Sequence, residues 1–370
     1  MTAMMERMIF LVGPPRSGST LLMRVLNATS QVYSRPEPHL IGPMAHLGYY
    51  DNIDRAPFDH FQSAEGVRGF VADLPGGEAD YLDALRAYAD TMYGRMLGSA
   101  KNGERYFLDK TPANSLLLPF LGKLYPRAKY IVLTRHPAAI FASYAESFFD
   151  GDYAAAADFN PILARYIPAM ARFLRQTVVP FTHVRYEELV TDPEATLKKV
   201  STYLDIPFEP DALNYKKRDV VGKGLGDPVG VKKHDRPVAS SIETWGAEFA
   251  ANRVRYEVVA RQIAMVEPAD LATWGYPLET FWKPMEDADP ANWKPRKIEL
   301  DRFQRQRRAL RWARRMAKET AVGGAMEKVR FGLEVVLREG FGADGRAEGR
   351  GVGNTRQNAK DATDPTEESE

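Results

Sequence analysis

Residues Gly13-Pro14-Pro15-Arg16-Ser17-Gly18-Ser19-Thr20 join an apolar run, Met8–Val12, to a helical pattern of Leu21, Leu22, Val25 and Leu26. A strand, a Gly/Pro-rich turn and a helix start in that order turn backbone N–H groups and a helix N-terminus toward an anion, so the segment reads as a phosphate cradle. Gly13, Gly18 and Thr20 fit the G-x4-G-K-[ST] template, but Ser19 stands at the lysine position and Arg16 is the loop's only cation. A kinase uses that lysine on the β- and γ-phosphates. The expected guest of Pro15, Arg16, Ser17, Gly18, Ser19 and Thr20 is therefore a different phosphorylated group.

A second run, Tyr130-Ile131-Val132-Leu133-Thr134, ends in Arg135-His136-Pro137, and Ser143 follows Arg135 by eight residues. Pro137 suits the first turn of a helix, where its missing N–H costs nothing. A guanidinium at a strand end and a hydroxyl two turns into the next helix can grip a second phosphate. Where a nucleotide kinase would carry an acid to hold magnesium, this strand ends in Thr-Arg. A surface arginine in a salt bridge is the plain alternative.

With both cradles in place the chain resembles the sulfotransferases that use 3′-phosphoadenosine-5′-phosphosulfate (PAPS), in particular the bacterial branch similar to protein-tyrosine sulfotransferases. Pro14–Leu21 matches the form P-x-R-S-G-[ST]-[ST]-L, and Arg135 with Ser143 matches the 3′-phosphate element. Three more pieces fit: Asp109-Lys110-Thr111-Pro112, the run Val184–Val190, and Gly226-Asp227-Pro228 with Arg236-Pro237 and Trp245. The five pieces follow the family's order across residues 8–280.

The resemblance implies PAPS as co-substrate without a metal, Tyr186 near its adenosine and Arg236 near the phosphosulfate. His136 departs from the Asp or Asn that most members carry after the arginine. Physically, PAPS presents two separated anions, and two cradles on two strands suit it. Arg16 and the loop amides would take the 5′-phosphate as charge builds on it. Arg135 and Ser143 would take the 3′-phosphate. Tyr186 also has a plain reading as a core aromatic, and Lys110 either steadies the leaving group or anchors Asp109.

The acceptor's proton needs a base. Glu37, in Ser34-Arg35-Pro36-Glu37-Pro38-His39, is held between two prolines just after the first helix, and related enzymes carry a catalytic glutamate in a similar place. His39 is its rival, with a pKa naturally nearer neutrality. An exposed loop carboxylate is the plain alternative for Glu37.

These groups need a scaffold. Strand patterns at Met8–Val12, Tyr130–Thr134 and Phe181–Val184 alternate with helical patterns at Leu82–Met96, Leu116–Leu124, Ala138–Phe148, Ile162–Gln176, Pro193–Leu204 and Glu248–Ile263. That alternation predicts an α/β fold, a P-loop-like parallel sheet flanked by helices, with ligands at the C-terminal strand ends. Residues 41–77 lack a clear period and read as irregular.

The absence of cysteine excludes disulfides, thiolate catalysis and Cys-based metal sites. The six histidines form no H-x3-H or HExxH pattern, so no metal site of the usual kind is expected. No signal peptide or membrane span is legible, and a cytoplasmic location, peripheral at the membrane, is expected.

Net charge is +1, but residues 294–338 carry 14 Lys/Arg against 5 Asp/Glu, and residues 339–370 carry 4 against 8. The expected organisation is a catalytic domain over 1–285, a basic amphipathic helical extension over 286–340 and a disordered acidic tail over 341–370. In 301–318 the stripe Phe303, Leu310, Ala313 and Ala317 runs among arginines, and Met326, Val329, Leu333 and Val336 form a second stripe. Such helices suit a docked hairpin, an anionic membrane surface or an acidic partner, and nucleic acid is not expected.

The reading is sulfuryl transfer from PAPS to an acceptor hydroxyl, with an amine second, on a small-molecule, lipid or carrier-bound acceptor. Its rivals are an ATP/magnesium small-molecule kinase and an inactive nucleotide-binding or membrane-associated scaffold.

Overall fold

The computed structural model describes residues 2–36, 41, 44, 60–100, 102–215, 235–239, 242 and 244–294. Glu37, His39, the Gly226–Pro228 piece, the basic stripes and the acidic tail lie outside the described residues.

Five strands form one parallel sheet: β1 (Met8–Val12), β2 (Val32–Pro36), β3 (Tyr106–Lys110), β4 (Lys129–Thr134) and β5 (Phe181–Arg185), in the order β2-β3-β1-β4-β5. All five β1 residues are buried because both faces of the sheet are covered, which explains the unbroken apolar run. Met8, Phe10 and Val12 join the core shared with helices Glu78–Gly98 and Ile162–Gln176, and Ile9 and Leu11 join the core shared with Ser19–Asn27 and Pro193–Leu204.

This wiring places the site. After β1 the chain enters the helix Ser19–Asn27 on one face; after β4 it enters Pro137–Phe148, whose Ile140, Phe141 and Ala145 belong to the other face's core. β1 and β4 are neighbours, with Val12 opposite Val132. Their outgoing connections part to opposite faces and open a crevice at the C-terminal edge, the usual ligand position in such sheets.

The alternation misses β2 and β3. Ser34-Arg35-Pro36 and Asp109-Lys110 give these strands polar ends that break the apolar pattern. Glu37 consequently follows a strand rather than the first helix, and Pro36 stands opposite Lys110 in the sheet. The pattern Glu248–Ile263 is two helices, Thr244–Ala251 and Arg253–Ile263, because Asn252 leaves helical geometry (φ −132°) and accepts the Arg255 N–H on its side chain at 3.2 Å. Residues 60–72, expected to be irregular, form the helix His60–Ala72, whose two glycines dilute its period. The short helix Lys283–Glu286 meets Thr244–Ala251 so closely that a Cβ on Gly246 would lie 2.4 Å from the Pro284 carbonyl oxygen.

Candidate active site at the β1–β4 crevice

The loop after β1 owes its shape to two left-handed residues, Arg16 (φ 72°) and Gly18 (φ 95°). Glycine is required at 18 twice over, since a Cβ there would also lie 2.3 Å from the Tyr186 ring. Gly13 N–H donates to Ser115 Oγ (2.9 Å) and Ser17 N–H to the Pro14 carbonyl (3.2 Å). Ser17 thus shapes the loop, its Oγ buried beneath Gly13. Gly18 caps the helix Ser19–Asn27 and brings no side chain to its first-turn amides, leaving that end suited to an anion. Pro15 and Thr20 are half-buried at its rim, and Ser19 is buried.

Arg16 pays a conformational cost of about 1–3 kcal/mol for its left-handed backbone. The group that holds it there comes from the second cradle: Arg135 Nη1 donates to the Arg16 carbonyl at 3.0 Å. In return Arg16 Nε donates to Ser143 Oγ at 2.9 Å. The Arg135 guanidinium also lies 4.2 Å over the Tyr186 ring, which itself covers Gly18. Arg16, Gly18, Arg135, Ser143 and Tyr186 therefore form one connected unit, and Tyr186 is part of the site wall as well as buried. Burial pulls the Arg135 guanidinium below its ordinary pKa; Tyr186 and Glu187 oppose that, and Arg16 adds a like charge. An anion bound here would relieve that electrostatic tension.

The Arg135–His136 backbone is held by chain about 50 to 140 residues away. Trp274 Nε1 donates to the Arg135 carbonyl (2.9 Å), and Glu187 Oε1 accepts the His136 N–H (3.0 Å) while its Oε2 takes the Tyr276 hydroxyl. His136 caps the helix Pro137–Phe148: its Nδ1 accepts the Ala138 N–H (3.2 Å), which leaves Nε2–H to donate to the Phe281 carbonyl (3.0 Å). The imidazole stacks on Trp245 at 4.3 Å, and burial lowers its pKa to about 3. A neutral histidine can thus do the capping an Asp or Asn would do, which accounts for the departure at this position.

Lys110 is buried at the end of β3. Asp109 is gripped by Tyr93 Oη (2.6 Å) and Thr111 Oγ1 (2.8 Å), and successive strand side chains point to opposite faces, so Asp109 has its own anchors on the side away from Lys110. Arg236 is exposed; its carbonyl accepts the Tyr215 hydroxyl at 3.4 Å. Glu37 and His39 lie outside the described residues. Trp274, Tyr276 and the role of Glu187 escaped the sequence reading. Glu187 lies inside a piece already singled out, whereas an isolated Trp274 gives no local signal.

Two cradles on adjacent strand ends, with an arginine at each and the second of these, Arg135, at the acid position of a kinase strand, suit a nucleotide bearing two separated anions. Residues 8–210 match the model of the sulfotransferase family, and the chain belongs to that family. The nodulation protein NoeE of Sinorhizobium fredii is 33% identical over 274 residues, 66% of this chain and 61% of NoeE. Protein-tyrosine sulfotransferase A of Caenorhabditis elegans is 25% identical over 226 residues, 59% of this chain and 54% of that protein. The matches thus span less than two thirds of either relative. Among solved structures, the sulfotransferase domain from the curacin biosynthetic pathway is 25% identical, covering 70% of this chain and 98% of the domain with a TM-score of 0.48. Among the described residues no helix is long and apolar enough to cross a membrane.

Proposed function

We propose that this chain transfers a sulfuryl group from PAPS to an acceptor hydroxyl, an amine being the second candidate. The observation that carries the reading is the cross-tie at the crevice, Arg135 Nη1 to the Arg16 carbonyl and Arg16 Nε to Ser143 Oγ. That tie supports a site in which two cationic cradles serve one nucleotide. The 5′-phosphosulfate would lie on the loop Gly13–Thr20, with the 3′-phosphate at Arg135 and Ser143 and the adenosine toward Tyr186.

The acceptor oxygen attacks sulfur as the bond from sulfur to the 5′-phosphate oxygen breaks. The electron pair leaves on 3′-phosphoadenosine-5′-phosphate (PAP), and the acceptor's proton passes to a base. Arg16 and Lys110 would offset the charge that grows on the departing oxygen. Glu37 is our choice of base, with His39 its rival. The register of Pro36 opposite Lys110 supports it, since Glu37 is the next residue along. Arg236 is assigned near the phosphosulfate on the family resemblance alone.

Incubation with PAPS and a panel of hydroxyl acceptors, with PAP release followed by chromatography, tests the reading. Acceptor-stimulated release supports it; consumption of ATP–magnesium with no PAP release favours a kinase. A small-molecule, lipid or carrier-bound acceptor is our choice of substrate class. Segment 301–338 suits a docked helical hairpin first and an anionic membrane surface or an acidic partner second, and cosedimentation with anionic vesicles at low salt would separate them.

A further inference from the structure

Among the described residues ten large apolar side chains are substantially exposed, and three of them, Tyr88 (54%), Met92 (49%) and Met96 (36%), recur every fourth residue on the helix Glu78–Gly98. Leu82, Leu85, Ala89, Tyr93 and Leu97 face the core, and around the helix Met96 falls between Leu85 and Ala89 and so borders that buried face. Tyr88 and Met92, about 40° apart around the helix, lie outside that face and leave two adjoining apolar side chains on the exposed side.

The charges on that face are arranged about Tyr88. Asp80 lies eight residues before it and Arg95 seven after it, about 12 Å and about 10.5 Å along the axis at a rise of 1.5 Å per residue. At 100° per residue, Asp80, Ala84, Tyr88 and Arg95 all fall within about 80° of one another around the helix, with Met92 beside them. Ala84 and Met92 are both four residues from Tyr88.

The face is therefore complementary to itself in the antiparallel sense. A two-fold axis at Tyr88 brings Met92 of one helix over Ala84 of the other, large against small, and Arg95 of each toward Asp80 of the other. One Asp80 oxygen already accepts the Gly76 N–H at 2.8 Å, and a carboxylate retains acceptor sites beyond that bond. Among the described residues no ion pair engages Arg95.

We propose that the partner of this face is a second copy of the chain, docked helix against antiparallel helix across a two-fold axis at Tyr88. An isologous contact requires this self-complementarity, with the same patch serving on both sides. An unrelated apolar partner would not require charges spaced symmetrically about Tyr88. The proposal does not depend on the sulfotransferase reading.

Sedimentation velocity of the full-length protein, from micromolar to about 100 μM, tests it, with circular dichroism melting beside it. The wild type is expected to be dimeric in that range. The variant Tyr88→Arg/Met92→Arg is expected to be monomeric, with an unchanged folded circular dichroism spectrum and a melting temperature that no longer rises with protein concentration, since both side chains are solvent-exposed and only the dimer's own contribution is lost. Asp80→Arg and Arg95→Asp should each weaken dimerisation by about tenfold, and the double exchange should recover most of that loss, because each pair occurs twice in a symmetric contact. A wild type that stays monomeric throughout overturns the proposal. So does a Tyr88→Arg/Met92→Arg dimer, or a double exchange weaker than either single.

Discussion

Arg16 Nε donates its hydrogen to Ser143 Oγ across 2.9 Å, although 127 residues separate the two in the chain. One residue belongs to the cradle after β1 and the other to the helix after β4. With the return bond from Arg135 to the Arg16 carbonyl, neither cradle is set independently of the other. Under the proposed function both anions of a bound nucleotide would act on one hydrogen-bonded unit.

Arg135→Ala should weaken PAP far more than adenosine 5′-phosphosulfate, which lacks the 3′-phosphate. A hydrogen bond to a charged group contributes about 1.5–3 kcal/mol, or roughly ten- to a hundred-fold in affinity. Calorimetric titration of both ligands reads the difference. Equal losses would remove Arg135 from the 3′-phosphate. Because Arg135 also holds the Arg16 backbone, a small loss for the second ligand is expected as well.

Trp274→Phe removes the donor to the Arg135 carbonyl while keeping an aromatic ring. Leaving a buried carbonyl unsatisfied costs about 1–3 kcal/mol of stability. A purely structural role would lower the melting temperature and leave ligand preference alone. The clamp described here should also reduce the ratio of PAP to adenosine 5′-phosphosulfate affinity, which is the quantity to measure.

His136 gives the protein a pH signature. Its folded pKa of about 3 lies below the ordinary histidine value, and burial is the main cause. Above about pH 6.5 the imidazole is neutral in both the folded and unfolded chains and contributes no slope. As pH falls toward 3, only the unfolded chain binds the proton, so stability should fall by about 1.4 kcal/mol per pH unit from this residue. His136→Asn keeps a capping side chain and removes the titration. Urea unfolding between pH 4 and 7 should show a shallower slope for the variant, and identical slopes would contradict a buried neutral imidazole.

Glu37→Gln should abolish sulfuryl transfer and leave PAP affinity nearly unchanged, because it keeps size and removes the proton acceptor. General-base catalysis contributes about 10²–10⁴-fold in rate. His39→Gln is the matched variant. Normal turnover in the first with collapse in the second would transfer the role to the histidine.

Much of the site was legible because its chemistry is local. Arg16 and Gly18 sit in one short loop, and Arg135 and Ser143 are eight residues apart. The strands that carry them are buried on both faces and read as plain apolar runs. β2 and β3 were not legible because they end in Ser34-Arg35 and Asp109-Lys110, where polarity serves the sheet's C-terminal edge and hides the strand. The clamp on Arg135 was invisible for a different reason. Trp274 reaches Arg135, and Phe281 reaches the adjoining His136, through tertiary packing, and the Phe281 contribution is a backbone carbonyl, which no residue type announces.

The most direct test of two coupled anion cradles is calorimetric titration of PAP in the presence of a metal chelator, against adenosine 5′-phosphate, adenosine 3′-phosphate and ATP–magnesium. PAP is expected to bind without metal and at least about a hundred-fold more tightly than either monophosphate, since each cradle adds charge-assisted contacts of about 1.5–3 kcal/mol. ATP–magnesium should bind weakly. Tight ATP–magnesium binding with no response to PAP, or PAP affinity no better than that of adenosine 5′-phosphate, would contradict the account.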